Sequence, residues 1–210
     1  GSEALIRHYR CVTPPGVRLI EYGPRTSAAL LQSWPQDEQG QSALVAGLIS
    51  DTVLFGQSVC SSPQWVSVPD GATAHALLDV LQPRLDDLPP LSEQDRLLQW
   101  RAIQELTLMQ RLQPDLRLIW SQRSGWAALI ASPADAFCLP KGFRVIVGAG
   151  ELAGTHEAML QTLGTWPNPM PQAHPSAAFH RCPLGHMHER SLVAPHDGEF
   201  ELAQWVHFVS

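Results

Sequence analysis

The chain has 210 residues, 44% of them hydrophobic and 16% charged. That is enough apolar material for a real core and too little charge for a disordered chain. Fourteen Lys and Arg against twenty Asp and Glu leave a net charge of −6, which excludes the phosphate-neutralising surplus of most nucleic-acid binders and disfavours attraction to anionic membranes.

In chain order, Val17–Tyr22 reads as a short strand after the Pro14-Pro15-Gly16 turn. Pro24–Trp34 reads as a helix with proline at both ends. Gln41–Phe55 places Leu44, Val45, Leu48, Ile49 and Thr52 at helical spacing. A short strand at Trp65–Val68 precedes a helix over Ala72–Gln82. After Pro89-Pro90, Ser92 caps the longest helix with Asp95 in the capping-box position, and Leu97, Trp100, Ile103, Leu106, Leu108, Met109 and Leu112 form its apolar stripe. Beyond Pro114 the period shortens. Leu116–Trp120 and Trp126–Ala131 are strand-like runs joined by a hairpin connection containing Gly125. Phe143–Val147 is a further strand, Thr155–Leu163 a short helix, Asn168–Pro183 a proline-rich loop, and Phe200–Val209 a last strand.

Helices thus gather before Pro114 and strands after it. That segregation predicts an α+β fold, the helical N-terminal half packed on a mostly antiparallel sheet from the C-terminal half. Residues 1–210 read as a single domain, with possible sub-boundaries near 84–91 or 114.

Cys11, Cys60, Cys138 and Cys182 form no CxxC pair, so reduced thiols and a cytoplasmic setting are expected. No window of about 18 apolar residues occurs, and no membrane span is predicted. The chain opens Gly1-Ser2 without methionine. This looks like a cleavage scar and leaves an earlier leader open. One lysine beside thirteen arginines suggests a GC-rich bacterial source.

Two motifs invite catalytic readings. Residues 143–154, FRVIVGAGELAG, run from an apolar strand into Gly148, Gly150 and Ala153. They resemble the glycine fingerprint of Rossmann-type dinucleotide-binding proteins, which implies a pyrophosphate on a helix N-terminus. The fingerprint requires a second parallel strand ending in Asp or Glu, and TWPNPMPQAHP supplies none, so a structural strand-to-helix turn is the preferred reading. Gly56-Gln57-Ser58-Val59-Cys60 shares a glycine and serine with the nucleophile elbow but lacks its last glycine. A loop serine is expected there.

Six of the nine histidines fall in the last 37 residues, most densely in His180-Arg-Cys182-Pro-Leu-Gly-His186-Met-His188-Glu189. Imidazole and thiolate are ligands that zinc prefers. His180, Cys182, His186 and His188 are therefore the candidate metal ligands, with Glu189 as the local candidate base. Their spacing matches no standard structural-zinc pattern, and their scattering along a connecting segment is the favoured reading. Trp166, between Gly164 and Pro167, is the candidate anchor for a protein partner. With no coherent catalytic set, the expected function is a non-catalytic accessory or adaptor protein of a bacterial assembly that binds a protein partner. The alternatives are a zinc-type metalloprotein or metal-dependent enzyme, and nucleotide-cofactor binding at GAGELAG.

Overall fold

The computed structural model describes residues 3–17, 19, 21, 25–131, 139–148, 160–167 and 179–189. In chain order it contains α1 (Glu3–Val12), β1 (Thr26–Leu31), α2 (Glu38–Val53), β2 (Pro63–Val68), α3 (Gly71–Leu81), α4 (Glu93–Met109), β3 (Arg117–Trp120), β4 (Ala127–Ala131), β5 (Phe143–Val147), β6 (Leu160–Trp166) and β7 (His180–Pro183). The seven strands form one sheet in the order β3-β4-β5-β2-β1-β6-β7. Among the described residues the β3–β4 hairpin alone is antiparallel, and the other strand pairings are parallel. The expected α+β fold with a mostly antiparallel sheet is therefore replaced by an α/β fold.

The correction traces to β1, β6 and β7. Thr26–Leu31, expected as a helix, is the strand beside β2 and β6. Thr155–Leu163, also expected as a helix, contains the start of β6, and its residues 155–159 lie outside the described residues. The expected loop over Asn168–Pro183 ends in β7, with residues 168–178 outside the described residues. The same holds for Phe200–Val209 and for most of the fingerprint beyond Gly148, and residues 18, 20 and 22 of the first expected strand are likewise outside.

A parallel strand needs both faces covered because its crossover helices pack on both sides. Alternate residues of β4 show this division. Ala128 and Ile130 join the main core with Leu44, Val45 and Leu48 of α2 and Leu77, Leu78 and Leu81 of α3. Ala127, Leu129 and Ala131 face the other way, against Ile103 and Leu106 of α4. On that second face Ala28 of β1 meets Trp65, Leu160 and Leu163. The helices start where their caps dictate. Asp37 accepts from the Gly40 N–H at 2.7 Å, Asp70 from Thr73 N–H at 2.7 Å, and Ser92 from Asp95 N–H at 3.1 Å. The stripe expected to be core on α4 is buried only at Ile103 and Leu106, while Leu97, Trp100, Leu108 and Leu112 are exposed. Buried Gln99, rather than Trp100, shares the inward face with Ile103 and Leu106.

Among the described residues no helix is long and apolar enough to cross a membrane.

Candidate functional site

Several long-range side-chain tethers converge on residues 54–63, the connection from α2 into β2. As α2 ends, the chain turns through Phe55 (φ 56°), Gly56 (φ 58°) and Gln57 (φ 57°). A left-handed backbone costs a side-chain-bearing residue of order 1–2 kcal/mol, so the surroundings must hold Phe55 and Gln57 in place. The buried Gln57 amide does much of this. Its Nε2 donates to Pro63 O at 2.9 Å and to Gly142 O at 2.7 Å, and its Oε1 accepts from Gly142 N–H at 2.7 Å. Gly142 is required there: a Cβ on it would lie 2.5 Å from Ala127 O. Lys141 adds Nζ bonds to Gly56 O at 2.5 Å and Ser58 Oγ at 2.8 Å. Gln99 of α4 grips the Lys141 backbone on both its N–H and C=O.

Gln57→Ala would orphan the buried Gly142 N–H and two carbonyls. We expect it to lower stability by about 2–4 kcal/mol, read from urea unfolding. An unchanged midpoint would show that the loop is held by other contacts.

Past this lock the chain presents Cys60, exposed and free of any disulfide. Its carbonyl accepts from Ser27 Oγ at 2.7 Å, and Ser27 Oγ in turn accepts from Thr162 N–H at 3.1 Å. The Cys60 loop is thereby tied to the junction of β1 and β6. Ser61, the next residue, pairs through Oγ with His188 Nδ1 at 2.8 Å. Ser58, the serine of the elbow-like motif, lies in the loop and bonds Lys141.

His188 belongs to the turn after β7, which sits on α2 at Gly47 and on β6 at Gly164. A Cβ on Gly47 would approach the Leu184 carbonyl oxygen to 3.1 Å, and one on Gly164 would approach Met187 Sδ to 2.7 Å. Buried Asp51 of α2 secures the same turn, accepting from Gly185 N–H at 2.5 Å and Met187 N–H at 3.0 Å. Burial raises the Asp51 carboxyl above its ordinary range, and the two N–H bonds and nearby His188 and His186 offset part of that rise.

The expected metal ligands are thus engaged otherwise. His188 spends both ring nitrogens on Ser61 and the Asp51 carbonyl. His186 Nδ1 pairs with Glu189 at 2.9 Å. Cys182 is buried in the main core, and His180 pairs with Thr162 along β7. Among the described residues no three His, Cys, Asp or Glu side chains are grouped to hold a metal ion, so a zinc site finds no support. Trp166 closes β6 opposite Leu31 and packs, half-buried, on the main core.

Sequence reasoning passed over Cys60. The signal was a lone cysteine in a Gly/Ser-rich helix-to-strand connection, a pattern weaker than paired spacing. Two surface clefts of about 720 and 710 Å³ lie elsewhere, the first between α4 and the β3–β4 turn and the second at the start of α3. Neither is lined by the 54–63 loop.

The mostly parallel α/β sheet is a fold shared with solved structures. PnpE from Pseudomonas sp. WBC-3 superposes with a TM-score of 0.63 at 14% identity, over 95% of this chain and 47% of that one. An oxidoreductase from Marinobacter aquaeolei gives 0.60 at 12%, over 93% and 46%. The indole-3-acetaldehyde dehydrogenase AldA of P. syringae, solved as a cysteine-to-alanine mutant with NAD+ and IAA, gives 0.51 at 11%, over 83% and 40%. The chain therefore spans about half the length of these structures. No curated protein matches its sequence. Residues 1–208 match the LuxC acyl-CoA reductase family model, and the chain belongs to that family.

Membership in a family of reductases overturns the expectation of a non-catalytic accessory protein and the leaning against an enzyme. PnpE has also been solved with nicotinamide adenine dinucleotide, yet the helix N-termini that follow β1 and β2 here do not fit a pyrophosphate. Each is already capped by its own carboxylate, Asp37 and Asp70, where a phosphate would need open N–H groups and no like charge. The next described strand after the fingerprint, β6, is parallel, but it pairs with β1 and β7, three places from β5 in the sheet, and ends in Trp166 rather than an acid.

Proposed function

We propose that this chain carries the acyl-accepting centre of an acyl-CoA reductase, with Cys60 as the nucleophile. The observation that carries the reading is the family match across residues 1–208 together with an exposed cysteine whose loop is tethered from several elements. The family's substrate class is a thioester, and a thiolate is the side chain suited to exchange with one. Cys182 is buried and inert by comparison, and Cys11 lies on the terminal helix α1.

In the proposed step the Cys60 thiolate attacks the acyl carbonyl carbon and forms a C–S bond. The tetrahedral oxyanion collapses, the bond to the coenzyme sulfur breaks, and that sulfur leaves as a thiolate that takes a proton from solvent. The product is an acyl-Cys60 thioester. The Cys60 N–H finds no acceptor among the described residues and is free to donate to the oxyanion. The fixed turn at 55–57 and the Ser27 bond hold the thiol's backbone before substrate arrives, the kind of pre-organisation that lowers the entropy cost of reaction. PnpE and AldA were each solved with NAD, which supports a nicotinamide cofactor as the hydride source that would reduce such a thioester.

The test is mass mapping after incubating the full chain with butyryl-CoA. One butyryl group, labile to hydroxylamine, is expected on the Cys60 peptide. Label on Cys11 instead, or no label at all, would overturn the assignment.

A further inference from the structure

The turn carrying His188 faces the thiol loop with a fixed chemical polarity. His188 Nε2 lies 2.9 Å from the Asp51 backbone oxygen, which only accepts, so the ring proton sits on Nε2. The Nδ1 lone pair is then left to take the Ser61 hydroxyl proton at 2.8 Å. The imidazole is flanked on further sides. Phe55 stands edge-on to it with ring centroids 5.7 Å apart, and the Asp51 carboxylate clamps Gly185 and Met187 on the approach to it. Cys60 therefore sits between two tethers of different origin. Ser27 of β1 holds its carbonyl, and His188 of the β7 turn holds the side chain of the next residue.

We infer that His188, acting through Ser61, is a positioning residue that sets the direction of the Cys60 thiol. The inference rests on the acyl-accepting reading of Cys60 and extends it to a residue that touches neither thioester nor thiol. A serine in a loop otherwise bonds its own neighbouring backbone, and diverting Ser61 to His188 removes that alternative conformation from the loop.

The experiment compares Ser61→Ala, His188→Leu, their double variant and His188→Asn, whose amide oxygen stands near the position of Nδ1. The first readout is the iodoacetamide alkylation rate of Cys60 divided by that of Cys11 in the same molecule, a ratio that a general loss of stability does not select. Each single variant is expected to change the ratio by about tenfold in the same direction. The double variant should match the singles, because the two residues act as one unit, and His188→Asn should restore the wild-type ratio. Butyryl transfer to Cys60 should follow the same pattern. An unchanged ratio in Ser61→Ala, or factors that multiply in the double variant, would overturn the inference. Should His188→Leu fail to fold, Ser61→Ala and His188→Asn decide it. Absence of butyryl transfer in the wild type defeats the nucleophile assignment alone, since the alkylation ratio still reads the positioning.

Discussion

Cys60→Ser is expected to slow acyl capture from butyryl-CoA by at least about a thousandfold while leaving the fold intact. The exchange replaces one soft, readily ionised atom by a hydroxyl that stays protonated at neutral pH, and nothing in the described surroundings activates that hydroxyl. Ser27 donates its own hydroxyl to the Cys60 carbonyl, and His188 is engaged by Ser61 and the Asp51 carbonyl. Because the Cys60 residue is exposed, its sulfur contributes little packing, and the variant's unfolding midpoint should lie within about 0.5 kcal/mol of wild type. Rapid-mixing mass spectrometry gives the rate, and Cys11, exposed on α1, serves as the internal control. A serine variant that captures acyl groups at the wild-type rate would place the nucleophile elsewhere and remove the basis for reading the 54–63 loop as an active site.

Helices α2, α3 and α4 could be read from the sequence because each keeps one wet face. Helix α2 shows Leu44, Val45 and Leu48 at helical spacing, and α4 announces itself with its capping side chain, Ser92. The β3–β4 hairpin is visible because Gly125 (φ 83°) marks its turn. Strands β1 and β6 were lost for the opposite reason. TSAALL and LQTLGTW are buried on both faces, so they lack the alternation that identifies a strand, and the Ala- and Leu-rich β1 follows helix propensity instead. Those two strands carry the parallel pairing from β2 to β7. With them read as helices, strands gather after Pro114, and that segregation predicts an α+β fold.

The site was hidden by a different mechanism. Its parts come from α2 (Asp51), the loop (Gln57, Cys60, Ser61), the approach to β5 (Lys141, Gly142) and the turn after β7 (His188), separated by up to 137 residues. No local spacing encodes such a set. The histidine-rich run looked like a ligand cluster because proximity in sequence suggests convergence. The structure turns His186 to Glu189, His188 to Ser61 and Asp51, and Cys182 into the core. Clustering in sequence thus did not translate into convergence in space.

Asp51→Ala should produce a large loss of stability, about 2–4 kcal/mol, because it strands the N–H groups of Gly185 and Met187 in a buried turn. Asp51→Asn keeps one accepting oxygen but aims an NH2 at the other N–H, so a loss of about 1–3 kcal/mol is expected. Amide exchange at Gly185 and Met187 should quicken in both variants, whereas that in the β4–β5 pairing should follow only the global change. The pH dependence separates charge from geometry. Burial raises the carboxyl of Asp51 in the fold above its ordinary 3.8. The protonated form is therefore the one the fold favours, and the stability it confers is complete below the unfolded value and declines as pH rises through the folded one. Asparagine has no such decline. The stability gap between wild type and Asp51→Asn should accordingly narrow as pH is raised above 4, measured by urea unfolding at each pH. A gap that widens instead would mean that the two N–H bonds outweigh burial, making the charged carboxylate the form that holds the His188 turn against the thiol loop.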